Sequence, residues 1–352
     1  MSGMETQSFP MAAFDYRVPS HRIARYPEER RDDSRLLVLE RSTGEMTHRR
    51  FRDLVELVGS EDLLVLNESQ VRPARLVGRK PTGALGEVLL LRRLPGAEGR
   101  RWEALVRPGG KLKPGRVLEV ADDLRVEVED SVEGGGRIVL LHTPRPVDEA
   151  LERYGRMPLP PYLDREDEPL DRERYQTVYA RVPGSVAAPT AGLHFTPELL
   201  EELDRRGVRI ARIVLHVGPG TFRPVEADDP EEHTMHSEAY RISEETVRAV
   251  RDARTRGGRV WAVGTTVVRA LESAVGSHGR IVPGEGETDL FIRPPFRFQV
   301  VDALLTNLHL PRSTLLMLVA AFGGYETTMA AYREAVRAGY RFYSYGDAMA
   351  VV

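Results

Sequence analysis

The sequence predicts an α/β fold: a mostly parallel sheet covered by helices, formed by both chain ends, with a small all-β barrel inserted. Three observations predict it. Beyond about residue 190, helix and strand signals alternate, the pattern of a parallel sheet covered by helices. From about 72 to 149 there are strand signals only. The chain has 352 residues, and at about 100–200 residues per domain two domains are expected. We expect residues 1–71 and 150–352 to form the α/β domain and 72–149 the barrel.

In the inserted segment, the apolar-alternating runs Gly86–Leu91, Trp102–Val106, Arg116–Val120, Leu124–Val128 and Arg137–Leu141 read as strands. Pro108-Gly109-Gly110, Pro114-Gly115 and Gly134-Gly135-Gly136 separate them, and short strands with such spacing suggest a small barrel. Arg145–Arg174, with Pro158, Pro160 and Pro161, reads as an extended loop at the domain border. Thr196-Pro197-Glu198 starts a helix: a capping hydroxyl, a proline at the first helical position and an acid in the first turn. Gly207 ends it, and Val208–Val217 is a buried strand. Ser243-Glu244-Glu245 starts a second helix, which Gly257-Gly258 stops. Arg259–Val263 is a strand and Val267–Val275 a helix. Leu304–Thr306 is a strand, and Pro311 opens an apolar helix through Phe322. Arg341–Asp347 is an aromatic tail that could pack as a C-terminal strand or stack on bases.

Composition removes several classes of function. With no cysteine, disulfides, thiol nucleophiles and Cys-ligated metals are excluded. The longest pure apolar run, Leu315–Phe322, has eight residues, short of the about 20 a membrane helix needs. Met1–Pro10 has no basic-then-apolar pattern, so no signal peptide is expected and the location expected is cytoplasmic. Net charge is −3, but the charges are unevenly placed. From Arg72 to Arg116 there are twelve basic residues against three acidic ones, whereas Glu226–Glu238 holds six acids and no Lys or Arg. Such a local surplus attracts a polyanion although the whole chain is slightly negative. All but Lys80, Lys111 and Lys113 of the 50 basic residues are arginines, suited to bidentate phosphate contacts.

Open α/β sheets bind ligands beyond the C-terminal ends of their strands. Three such ends carry small or polar residues: His216 to Phe222, Val263-Gly264-Thr265-Thr266 leading to Arg269, and Leu305-Thr306-Asn307-Leu308-His309. A fourth segment, Ala187–Thr196, precedes a helix N-terminus and carries His194. Convergence of these four would supply one pocket with backbone N–H groups, hydroxyls and imidazoles. None is a dinucleotide or P-loop fingerprint. His233 and His236 have metal-like spacing but no third His or Cys nearby, so no metal is expected.

Taken in order, the motifs go further. Phe14-Asp15-Tyr16, Asp33–Leu39, Leu66-Asn67-Glu68-Ser69 with Val71–Leu76, Pro160-Pro161-Tyr162, Tyr175–Ala180, Ala187–Thr196, His216-Val217-Gly218 with Gly220-Thr221-Phe222, Met235–Glu238, Val263–Thr266 with Arg269, Thr306–Leu318 and Tyr340–Met349 run over nearly the whole chain. With them the sequence resembles the S-adenosylmethionine:tRNA ribosyltransferase-isomerases of queuosine biosynthesis. Departures are small: Pro295-Phe296 and Leu308 stand where that family more often has Gly-Tyr and Phe.

The resemblance implies an α/β domain carrying a β-barrel. It implies transfer and isomerisation of the ribosyl part of S-adenosylmethionine onto the aminomethyl-deazaguanine wobble base of tRNA, giving epoxyqueuosine and releasing adenine and methionine. S-adenosylmethionine is then a co-substrate, with no metal and no prosthetic group. The sulfonium acidifies the adjacent ribose methylene, a base removes that proton, adenine leaves, the neutral amine adds, and closure to the epoxide expels methionine. Imidazole suits the base, with His194 ranked ahead of His216 and His309. Thr190, Gly192, Thr221, Glu238, Gly264, Thr265, Thr266, Thr306 and Asn307 are candidates for holding the co-substrate. Arg35, Arg72, Arg75 and Arg269 are candidates for tRNA phosphate or substrate carboxylate. A monomer that does not contact membranes is expected. An S-adenosylmethionine-dependent RNA methyltransferase and a non-catalytic tRNA-binding protein are the alternatives.

Overall fold

The structure is a computed structural model that describes residues 9–132, 135–218 and 229–352. The N-terminal part contributes β1 (Arg35–Leu39), β2 (Met46–Arg50), β3 (Leu63–Asn67) and the short β4 (Ser69–Val71). There follow β5 (Arg75–Arg79), β6 (Leu85–Arg93), β7 (Arg101–Arg107), β8 (Val117–Ala121), β9 (Leu124–Ser131) and β10 (Arg137–His142). Two short helices, α1 (Val147–Tyr154) and α2 (Pro169–Arg174), and β11 (Val182–Ser185) lead back to the first body. The remainder is α3 (Pro197–Arg205), β12 (Arg209–Leu215), β13 (Glu238–Ile242), α4 (Glu244–Thr255), β14 (Val260–Val263), α5 (Thr265–Ser273), β15 (Gly284–Thr288), β16 (Ala303–Asn307), α6 (Thr314–Gly323), α7 (Tyr325–Arg337) and β17 (Ala348–Val351).

Both chain ends build one sheet of order β15-β13-β12-β3-β14-β16-β17-β1-β2 among the described residues. Its centre, β12-β3-β14-β16, is parallel, with Ile213 opposite Asn67, Ala262 opposite Val65 and Leu305 opposite Val263. β1 also runs parallel to β17, while β13, β15, β2 and the β16–β17 pair are antiparallel. Where a mostly parallel sheet was expected, the parallel pairs hold the centre and the sheet as a whole is mixed. The cause at one edge is local, because β1 and β2 form a hairpin that forces antiparallel pairing. β3, β14 and β16 are buried at every position, which explains their unbroken apolar runs. Thr196, Ser243 and Ser313 cap α3, α4 and α6 by accepting from Leu199, Thr246 and Leu316 N–H.

β10-β7-β6-β5-β8-β9 close into a barrel filled by Leu76, Val88, Leu90, Trp102, Val126 and Val139. Gly78 faces Gly86 in register, and a Cβ on Gly78 would lie 2.3 Å from the Glu119 carbonyl oxygen. Only glycine allows β5 to approach β8 this closely.

Several details differ from the sequence-based expectation or resolve an alternative it left open. β5, which closes the barrel, was not anticipated. The border segment is not a plain loop, since Pro146 and Pro169 start α1 and α2. α6 starts after its Ser313 cap, not at Pro311. Of the two readings of the aromatic tail, packing holds: Phe342, Tyr343 and Tyr345 are buried, so these rings are not available to stack on bases. No single helix among the described residues is long and apolar enough to cross a membrane, and the apolar α6 is itself a core helix.

Candidate active site

The ends of β14 and β16 meet the Ala188–Ala191 segment at a narrow cavity. Its polar lining is Thr190, Thr265, Thr266, Thr306, Asn307 and His309, with Val217 and Leu315 among the apolar walls. Three of the four segments singled out in the sequence thus converge there with catalytic-type side chains, and the fourth contributes Val217. The cavity holds about 20 Å3, room for a water molecule. Gly264 opens α5 at φ +95°, a conformation that side chains rarely adopt, and contributes no capping side chain. The first-turn amides of α5 therefore have no side-chain cap. Thr266 Oγ1 and Asn307 Oδ1 are buried without a hydrogen-bond partner among the described residues.

His309 is the one titratable side chain in this lining. Its Nε2 lies 2.7 Å from Thr306 Oγ1. Its backbone N–H donates to the Tyr332 hydroxyl at 3.2 Å, and the Tyr16 hydroxyl donates to its carbonyl. Burial lowers its pKa to about 3, so the ring is neutral at pH 7.

His194 is buried next to Asn307 but does not line this cavity. Its Nδ1 lies 2.7 Å from Ser34 Oγ and its Nε2 3.1 Å from Asn307 Nδ2. Burial, then Arg31 and Arg341, lower its pKa to about 3. Both ring nitrogens are occupied, and the ring lines a separate small cavity with Arg31, Arg174 and Tyr345. His216 follows β12 and packs against Gly184, where a Cβ would lie 2.5 Å from its Cε1. Burial, then Arg72 and Arg241, lower its pKa.

The remaining candidates scatter. Glu238 and Arg269 form a buried ion pair. Glu238 also accepts the Gly218 N–H at 2.8 Å, and Arg269 donates to the carbonyls of Thr288 and Leu290, both at 3.1 Å. The pair thereby ties the residues after β12 to β13 and β15. Gly192 is a packing site, since a Cβ there would lie 2.0 Å from Tyr179 Oη. Arg35 donates to the Ala338 carbonyl and stacks on Tyr340, 3.8 Å from the ring centre. Arg75 bridges the domains through Glu87 and Glu166; burial would lower its pKa, but those hydrogen bonds raise it. Arg72 has no carboxylate partner among the described residues and lies over the Trp102 ring. Thr221 lies outside the described residues. No group of three or more His, Cys, Asp or Glu among the described residues could hold a metal, and His233 packs its ring on Phe291.

Sequence reasoning missed a second, wider cavity of about 560 Å3 between the barrel and the α/β body. Arg75, Glu87, Leu89, Leu105 and Arg107 form its barrel wall, and Pro158–Pro161 with Val186-Ala187 form the other. The Arg107 side chain makes no hydrogen bond or ion pair among the described residues. The two cavities flank one segment, since Ala187 lines the wide one and Ala188 the narrow one. Ser34 was also missed as a partner of His194; it stood in the Asp33–Leu39 motif, but the contact spans 160 residues.

A family model described as queuosine biosynthesis protein matches residues 11–351. An S-adenosylmethionine:tRNA ribosyltransferase-isomerase of Symbiobacterium thermophilum is 53% identical, with 97% of this chain and 99% of that protein covered. One of Thermotoga petrophila is 54% identical at the same coverage of both chains. A crystal structure of S-adenosylmethionine tRNA ribosyltransferase from Thermotoga maritima matches with a TM-score of 0.54 and 43% identity, covering 97% of this chain and 100% of that one. On this fold, this convergence of strand ends and this near-complete agreement, the chain belongs to the queuosine biosynthesis protein family.

Proposed function

We infer that this chain is an S-adenosylmethionine:tRNA ribosyltransferase-isomerase. The observation that carries the assignment is that relatives of that name share about half of their residues with it over 97% of its length. S-adenosylmethionine is its co-substrate and tRNA its acceptor. We take the acceptor to be a tRNA whose wobble base is aminomethyl-deazaguanine and the products to be epoxyqueuosine-tRNA, adenine and methionine. A tRNA substrate puts the reaction in the cytoplasm.

The narrow cavity takes the reacting ribose, and the wide one, at the barrel border, takes the wobble nucleotide drawn out of its stack. Thr190, Thr265, Thr266, Thr306 and Asn307 hold the co-substrate. At about 20 Å3 the narrow cavity is closed to it, so binding has to part the walls.

We place the base at His309 in preference to His194 and His216, because the residue lines the cavity and its Nδ1 has no hydrogen-bond partner among the described residues. Burial disfavours imidazolium, but here the transfer conserves charge. A sulfonium cation beside neutral His309 becomes a net-neutral ylide beside imidazolium, so the cavity holds one positive charge before and after. The burial cost of the new cation is offset by the loss of the old one. Adenine then departs, taking the proton from the imidazolium and leaving an unsaturated sulfonium; the neutral amine of the wobble base adds to this and gives up a proton, and epoxide closure expels methionine.

Incubating the protein with S-adenosylmethionine and tRNA bearing the aminomethyl base tests the assignment. Adenine and methionine in equal amounts support it. S-adenosylhomocysteine, or tRNA binding without consumption of S-adenosylmethionine, overturns it.

A further inference from the structure

Asn307 lines the narrow cavity and is almost fully buried. Its amide orientation follows from its neighbours. Nδ2 lies 3.2 Å from the Tyr343 carbonyl, which can only accept, so the atom facing it must be the nitrogen. The same nitrogen lies 3.1 Å from His194 Nε2, which must therefore accept as well. The His194 proton is then on Nδ1, which donates to Ser34 Oγ at 2.7 Å. Ser34 donates onward to the Arg31 carbonyl at 3.3 Å. Every donor along this path has an acceptor. The atom left over is Asn307 Oδ1, buried and unpartnered.

A buried acceptor without a partner is rare, and in a binding cavity it points to a missing donor. The backbone supports this aim. Tyr343 is held at φ +74°, an outlier for a bulky residue, and its N–H is fixed to the Leu308 carbonyl at 3.0 Å. His194 itself is clamped by stacking on Phe51, with ring centres 5.0 Å apart.

We propose that His194 is a positioning residue: with the Tyr343 carbonyl it holds the Asn307 carboxamide so that Oδ1 accepts a hydrogen bond from an O–H or N–H donor on the nucleoside part of S-adenosylmethionine. The proposal rests on the function inferred above. It gives His194 a role without proton transfer to substrate.

Glutamine decides the matter, because its Oε1 reaches the place of the Nε2 acceptor but is no base. Adenine release is measured at varied S-adenosylmethionine for wild type, His194→Gln, His194→Ala, Asn307→Ala and the double Ala variant, with melting curves on each preparation. The expected result is that His194→Gln stays within about 10-fold of wild type in kcat/KM. His194→Ala and Asn307→Ala each lose about 100-fold, mainly through KM for S-adenosylmethionine, and the double variant loses no more than either single one. A folded His194→Gln protein as slow as His194→Ala, with kcat lost, overturns the proposal and makes the ring a base. Losses that multiply in the double variant overturn it also. Should His194→Ala not fold, His194→Gln and Asn307→Ala decide by the same kcat and KM criteria. A wild type that turns over normally beside a dead His194→Gln refutes the positioning role alone, whereas a wild type that releases no adenine refutes the inferred function too.

Discussion

His309 Nε2 and Thr306 Oγ1, three residues apart at the end of β16, lie 2.7 Å from each other. The hydroxyl holds one ring nitrogen, and in the mechanism proposed above Nδ1 is the nitrogen that meets the substrate. Thr306→Val keeps the shape and removes the partner. We expect adenine release to slow by about 10-fold with little change in KM, since a general base needs its ring held in reach. Thr306→Ser should run near the wild-type rate, and equal rates for Val and wild type would remove this hydrogen bond from the mechanism.

The buried imidazoles set a pH limit on stability. The pKa values of His194 and His309 fall to about 3 on folding, below the about 6.5 of an exposed ring. The unfolded chain therefore binds more protons below that value. Stability is fully present above pH 6.5 and is lost as pH falls towards 3. Between pH 7 and 5 each ring should cost about 2 kcal/mol, an upper figure for a buried group. Urea unfolding at the two pH values measures this, and His194→Gln should roughly halve the difference.

Glu238 and Arg269 are buried together, with side-chain exposures of 3% and 5%. Glu238→Ala leaves a guanidinium in the interior, a loss of about 3–5 kcal/mol for a broken buried pair. A lowered urea midpoint is the expected reading, with partial recovery in the Glu238→Leu/Arg269→Met double variant. An unshifted midpoint would show that water solvates Arg269.

Charge on the barrel is partly spent internally. Of the twelve basic residues from Arg72 to Arg116, Arg75, Arg92, Arg93, Arg100 and Arg101 are in ion pairs. Arg72 and Arg107 are not paired among the described residues. Each phosphate contact adds about −0.7 to −0.9 to the log–log salt slope of tRNA binding. Changing Arg72 and Arg107 to Ala should make that slope shallower by one to two contacts, while Arg92→Ala/Arg93→Ala changes it less. The reverse order would move the tRNA surface to the paired arginines.

The sequence revealed the site where its signals were local. Gly264-Thr265-Thr266, Thr306-Asn307 and Thr190 lie at strand ends or before a helix, where a parallel sheet places ligands, and they line one cavity. The histidines were harder to separate. What distinguishes His309 from His194 is which of the two small cavities each lines, and the setting of His194 depends on Ser34 and Asn307, far away in the chain. Arg75 and Arg269 looked like ligand-binding cations because their partners, Glu166 and Glu238, are 91 and 31 residues distant. The barrel was legible from its punctuation, but β5 was not, because its glycine breaks the apolar alternation exactly where the wall closes on β8.

In the proposed mechanism His309 takes the proton from the ribose methylene beside the sulfonium. Its most direct test is single-turnover adenine release from S-adenosylmethionine deuterated at that methylene, by wild type and His309→Gln on the same modified tRNA. The expected result is a slower wild-type reaction with the deuterated co-substrate and a His309→Gln rate lower by about 100-fold or more, with melting unchanged. A His309→Gln protein that releases adenine at the wild-type rate per folded molecule would contradict it.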